Sequence, residues 1–303
     1  MYFLQTCREE VQDRMKKYLA AAAFILFMIS GTSYAMDLTI GLVPEQNIFK
    51  QVKKYKILKE YIERKSNIGI YFTILSEHGR SIDDFKQRNL DGAFLCSLIG
   101  AKAKEELEVA YIASIVNSDG TATSRSYIFS HRDSRIDNVE QMRFRVMAFV
   151  DRATATGYAF PVAYMRDHGI SDINIFFKDY FFTGSHDAAI FAVLNKEADI
   201  GAAKSSVFNM LARKDDRIRK NLKIIVESDE FPSNVLVLRK DLPQGITDRL
   251  RSVLINMDRN SDGKEALRRF GAMKFIEARE SDYHAEPDIS NKIEIINLPD
   301  QQF

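Results

Sequence analysis

The sequence predicts an α/β protein of two lobes. Three observations predict it. Short apolar runs of strand type alternate with stretches of helical periodicity, that alternation occurs twice, and 303 residues suit two domains of ordinary size. Hydrophobic residues make up 46% and charged residues 28%, which excludes disordered and low-complexity classes. No short repeat appears, so a solenoid is excluded as well.

The elements follow in order. Leu38 to Val43 is a strand closed by Pro44, and Ile48, Phe49, Val52, Tyr55, Leu58 and Ile62 recur at helical spacing. Ile68 to Leu75 alternates with β-branched and aromatic residues and reads as a strand. Ser81-Ile82-Asp83-Asp84 resembles a capping box that starts a helix, and Ala93 to Cys96 is a third strand. In the second half, Tyr127 to Ser130 and Arg145 to Val150 are strands, with a helical turn at Val139 to Met142. Thr156 to His168 is a helix ending at Gly169, Ile173 to Phe177 a strand, Ala188 to Lys196 a helix and Asp199 to Ala202 a strand. Val235 to Arg239 is a strand and Asp248 to Met257 a helix. Lobe 1 is expected to span residues 36–131 plus 233–303, and lobe 2 residues 132–232. Two crossings, near Arg132 and Pro232, then form a hinge beside a cleft, a favoured place for a ligand.

The amino end reads as an export signal. Lys16 and Lys17 form a positive region, Leu19 to Ile29 is an apolar run too short to span comfortably, and Ser33 and Ala35 fit a cut after Ala35. Residues 1–14 read as an extension upstream of Met15. Cleavage removes Cys7 and leaves Cys96 alone, so an exported chain without an internal disulfide is expected, located in the periplasm. Lys+Arg is 43 and Asp+Glu is 42, a balance that offers no general field for nucleic acid or an anionic membrane. An anionic ligand must therefore be held by a local site.

Two stretches have the chemistry for that. Thr154-Ala155-Thr156-Gly157 lies between a strand and a helix, where unpaired N–H groups, the helix dipole and hydroxyls can hold an oxyanion. Gly157 would let the backbone approach a bound group closely. Gly184-Ser185-His186-Asp187 opens a second helix, with Ser185 a candidate cap and His186 a hydrogen-bond donor in the first turn.

These residues carry a resemblance to the phosphonate/phosphite/phosphate-binding proteins of ABC transporters, a type II periplasmic binding-protein family. The resemblance runs from about Leu38 to about Tyr283. Its landmarks include Gly41-Leu-Val-Pro44, Leu90-Asp-Gly-Ala-Phe94, Ser130-His-Arg-Asp-Ser134, Ala153-Thr-Ala-Thr-Gly-Tyr158, Gly184-Ser-His-Asp-Ala-Ala189 and Phe231-Pro-Ser-Asn234. It implies a type II periplasmic binding-protein fold with a hinge and an interlobe ligand cleft. It implies no catalysis, but capture of a small phosphorus oxyanion and delivery to an inner-membrane ABC permease. Thr154, Ala155, Thr156, Gly157, Ser185, His186, His78 and Asn234 are the expected ligand residues. Lobe 1, with His78 and the Leu95-Cys96-Ser97 loop, is expected to close over an oxyanion held by lobe 2.

The chain departs from the family pattern at several positions. Ala155 replaces a hydroxyl residue, His78 stands at a frequent tyrosine, Leu95 lies near another, and Ser206 and Asn234 occupy the carboxylate positions of aminophosphonate binders. Phosphate, phosphite or methylphosphonate is therefore the expected ligand, and His78 with His186 predicts stronger binding at lower pH. A periplasmic sensor serving a membrane receptor or histidine kinase is the alternative. No metal or cofactor is expected: His131, His168 and His284 lack metal-ligand spacing, and no nucleotide fingerprint occurs. Arg125 reads as a hinge residue, Phe176-Phe177 and Phe181-Phe182 as packing, and a monomer is expected.

Overall fold

β1 (Asp37–Leu42) buries Leu38, Ile40 and Leu42, and Asn47 then accepts the Phe49 N–H at 3.2 Å to start α1 (Ile48–Ser66). Arg64 and Lys65 favour the negative end of that helix, and Asn67 closes it with φ 56°, in the left-handed region asparagine tolerates. The computed structural model describes residues 36–87 and 90–283. The expected export signal (1–35) and His284 lie outside the described residues.

The chain continues through β2 (Gly69–Ile74), α2 (Ser81–Gln87), β3 (Gly92–Leu95), α3 (Ser97–Glu106) and β4 (Val109–Asn117). After β5 (Thr123–Ser124) come β6 (Ser126–His131), β7 (Val146–Phe149), α4 (Phe160–Asp167), α5 (Ile173–Phe176), β8 (Asp179–Phe182) and α6 (His186–Leu194). β9 (Ile200–Lys204), α7 (Ser205–Lys214), α8 (Asp216–Asn221) and β10 (Leu222–Glu227) complete that half. β11 (Phe231–Pro232), β12 (Val235–Arg239), α9 (Gln244–Ile255), α10 (Ser261–Phe270) and β13 (Ala272–Glu277) follow.

The strands form two mixed sheets of order β13-β4-β12-β3-β1-β2 and β10-β6-β9-β7-β8. A short antiparallel ribbon, β5 with β11, joins them. In the first sheet Tyr55 of α1 packs edge-on against Phe94 of β3 and Phe270 of α10, at 5.3 and 5.1 Å between ring centres. Arg125 ties the two crossing segments together: it donates to the Ser228 carbonyl at 2.8 Å and pairs with Glu227 and Glu230.

Three local expectations are corrected. β6 pairs with β9 and β10, so Ser126–His131 belongs to the second sheet and the chain leaves the first sheet before Ser126, not near Arg132. Ile173 to Phe177 is not a strand. Asp172 caps a single helical turn by accepting the Asn174 N–H at 2.8 Å, Ile173 and Phe176 bury one face of it, and the strand is Asp179–Phe182. β4, buried along most of both faces, has no alternation to betray it and is absent from the sequence reading.

Gly92 sits opposite Leu238 of β12, and a Cβ there would lie 2.6 Å from the Val237 carbonyl oxygen. Backbone cannot yield as a side-chain tip can. Gly92→Ala is expected to destabilise the protein by about 1–3 kcal/mol, read as a lower thermal midpoint.

Candidate functional site

The C-terminal ends of β1, β2, β7 and β9 bring the candidate residues to the junction of the lobes. Buried Gln51 shapes the loop after β1: its Oε1 accepts the Glu45 and Gln46 N–H groups, and its Nε2 donates to the Val43 carbonyl at 2.7 Å. That loop aims Glu45 at Lys204, the last residue of β9. Lys204 donates to Glu45 Oε1 at 2.5 Å and to Asn234 Oδ1 at 2.7 Å. Both charges lie between the lobes, and the Lys204 side chain is only 8% exposed. Burial would push the Glu45 carboxyl up, but the charges of Lys204 and His186, the Lys204 hydrogen bond and Lys54 more than reverse this and hold it near 2.

His186 opens α6. Its backbone N–H donates to the Glu45 carbonyl across the lobes at 3.2 Å, and its Nδ1 accepts the Lys204 N–H at 3.2 Å. That bond assigns the ring proton to Nε2, a neutral donor. Burial, then the Lys204 charge, hold the His186 pKa at about 3. Ser185 precedes it as expected, but its hydroxyl donates to Asp187 Oδ1 at 2.9 Å and caps no backbone group. The other Asp187 oxygen accepts the Asn47 N–H from lobe 1 at 3.0 Å.

His78, from the loop between β2 and α2, faces His186 with ring centres 6.3 Å apart. It is 1% exposed, and neither ring nitrogen has a hydrogen-bond partner among the described residues. Its Nδ1 stands 3.9 Å from Asp151 Oδ2. Burial pushes its pKa down, against the pull of Asp151 and Glu45. Burial thus disfavours the charged form of both rings, most strongly for His186.

Asp151 and Ala153, at the head of the stretch 151–159, lie beside His78 and Gly79. Asp151 Oδ1 accepts the Ala153 N–H at 2.8 Å, and the Asp151 carbonyl accepts both the N–H and the hydroxyl of Thr154. A π-helical turn, Ala155–Ala159, then leads into α4, so the N–H groups of Ala155, Thr156 and Gly157 start a helix. Two expectations change here. The Thr154 hydroxyl proton is spent inside the loop, leaving the backbone groups and Thr156 as donors. Gly157 serves packing within the chain: a Cβ there would lie 2.5 Å from Val150 Cβ and 2.7 Å from Thr154 Oγ1.

The structure brings His78 beside His186 and Asp151, sets the Ala155–Ala159 turn against β9, and joins His186 and Asn234 through Lys204. Ser206 lines an adjoining cleft of about 470 Å³ together with Glu45, Lys204 and Asn234. Cys96 is buried and free, its thiol pushed up to about 11 by burial. Sequence reasoning missed Glu45, Lys204 and Asp151. The available signal was a lysine ending the apolar run Ile200-Gly-Ala-Ala203.

The sign of the pH dependence follows. An unfolded histidine binds a proton near pH 6.5 that folded His186 refuses until about 3, so its contribution is complete above 6.5 and fades toward 3. Glu45, near 2 when folded against 4.5, contributes fully above 4.5 and fades toward 2. Urea denaturation is expected to show stability falling below pH 6.5, by up to about 1.4 kcal/mol per pH unit per proton. His78→Asn/His186→Asn should flatten the upper part of that limb. Lys204→Met, which strands a buried carboxylate, should cost about 3–5 kcal/mol at pH 7.

A family profile described as "ABC transporter, phosphonate, periplasmic substrate-binding protein" matches residues 40–283. The chain is 21% identical over 289 residues to the probable ABC transporter phosphite binding protein PhnD1 of Prochlorococcus marinus, covering 91% of this chain and 97% of the relative. It is 21% identical over 244 residues to the phosphonates-binding periplasmic protein of Escherichia coli, covering 78% and 71%. The structure of PhnD1 with methylphosphonate superposes with a TM-score of 0.76, at 21% identity, over 88% of this chain and all of that one. A binding-protein component of a phosphonate transporter from Pseudomonas aeruginosa gives 0.75 at 19% identity, over 82% and 83%. The two sheets accordingly form a type II periplasmic binding-protein fold, and the chain belongs to the periplasmic substrate-binding proteins of phosphonate/phosphite/phosphate ABC transporters, a family of binding proteins and not of enzymes.

Proposed function

We propose that the protein, exported through its cleaved amino-terminal signal, captures a small phosphorus oxyanion between the lobes and presents the closed form to an ABC permease. Phosphate, phosphite and methylphosphonate are the candidate ligands. The observation that supports this most is His78. Both of its ring nitrogens are buried without a hydrogen-bond partner among the described residues, beside His186 and Asp151. A buried polar group left unsatisfied costs about 1–3 kcal/mol, and an oxyanion accepting from it would remove that cost.

In this reading the helix-start N–H groups and Thr156 hold the anion from lobe 2, with the Nε2–H of His186 beside them. His78 donates from lobe 1. Thr154 keeps the loop in shape through Asp151. Closure excludes water, which strengthens every charge-assisted hydrogen bond to the ligand. No aspartate or glutamate occupies positions 206 and 234, and Glu45 is taken by Lys204, so an ammonium tail has no carboxylate partner at those three positions.

Calorimetric titration of the exported protein with phosphate, phosphite, methylphosphonate and 2-aminoethylphosphonate tests this. Tight binding of one of the first three, and weaker binding of the fourth, is expected. Thr156→Val should weaken that binding by roughly 1 kcal/mol or more, the worth of the bond it loses. Full affinity in that variant would place the pocket elsewhere.

A further inference from the structure

The cleft of about 470 Å³ beside the oxyanion point has an unusual charge. Eight lysine and arginine residues line it against two carboxylates, Glu45 and Asp119, in a chain whose charges otherwise balance. Glu45 is already paired with Lys204. The cations come from both lobes: Lys53 and Lys54 on α1 and Arg269 on α10 face Lys204 on β9 and Lys214 on α7. Lys53, Lys54, Lys214 and Arg269 make no ion pair among the described residues. Burial lowers the Lys54 pKa, and the charges of Lys204 and Lys214 lower it further, against the pull of Glu45. Closing the lobes therefore brings like charges together, at a cost that an anion between them would offset.

The cleft and the oxyanion point share a wall. The backbone of Lys204 donates to His186, while its ammonium lines the cleft with Glu45 and Asn234. We propose that the cleft is a second anion subsite, so that the preferred ligand is a phosphonate or phosphate ester carrying a second anionic group. The phosphoryl group sits at the His78–Thr156 point, and a carboxylate or second phosphoryl group on a short tail lies among Lys54, Lys214 and Arg269. This rests on the oxyanion reading and replaces its uncharged tail with an anionic one.

Methylphosphonate and 3-phosphonopropionate, titrated side by side into the exported protein, separate the two claims. The subsite predicts at least tenfold tighter binding of 3-phosphonopropionate, with the ratio shrinking as ionic strength rises from about 0.02 to 0.3 M. Lys214→Gln/Arg269→Gln, at two exposed positions, should lose most of that ratio and keep methylphosphonate affinity within about threefold. Tight methylphosphonate binding with no gain from the carboxylate would overturn the subsite and leave oxyanion capture standing. Binding of neither ligand would overturn both.

Discussion

The buried ion pair of Glu45 with Lys204 is the contact on which the closed arrangement turns. A charge taken from water must be matched, and each partner comes from a different lobe. Asn234 satisfies a second Lys204 proton, and the backbone of Glu45 accepts from His186. These polar bonds, with the Asn47 N–H to Asp187, register one lobe against the other. Polar bonds of this kind can be exchanged for bonds to water at modest net cost, unlike a buried apolar contact.

The same pair sets the electrostatics of the site. Lys204 keeps His186 neutral by adding its charge to the effect of burial, and the backbone bond to Nδ1 fixes which nitrogen carries the proton. The donors proposed for an oxyanion are then neutral groups: two imidazoles, helix-start N–H groups and a hydroxyl. Neutral donors avoid the desolvation cost of a bare buried cation, yet become charge-assisted when they meet an anion. The positive charge is placed one step away, in the cleft, where solvent still reaches it.

Much of the local structure around the candidate residues was legible in the sequence, for a local reason. A strand end followed by hydroxyls, glycine and a helical periodicity encodes its own geometry within a few residues, so Thr154–Gly157 and Ser185–His186 could be placed without tertiary information. Family resemblance supplied His78. Roles inside those motifs were less legible. Gly157 packs on Val150 and the Thr154 hydroxyl turns back to Asp151, contacts that depend on how the loop folds over its own strand. Glu45–Lys204 spans 159 residues in sequence, and nothing local announces it. β6 was visible as a strand, but its sheet is decided by β9 and β10, much later in the chain. Ile173–Phe177 was misread because four apolar positions suit a strand, whereas the preceding Asp172 cap decides for a helical turn.

Overall charge proved a poor guide to the local field. Lys+Arg and Asp+Glu differ by one in 303 residues, yet the cations lining the cleft outnumber the carboxylates four to one. At physiological ionic strength charges act over about 8 Å, so the distant acids that balance the total are screened from the cleft. A balanced total is therefore compatible with a local excess of positive charge such as the one lining this cleft. Those cations are divided between the two lobes, so the proposed anion would offset a repulsion that neither lobe carries alone.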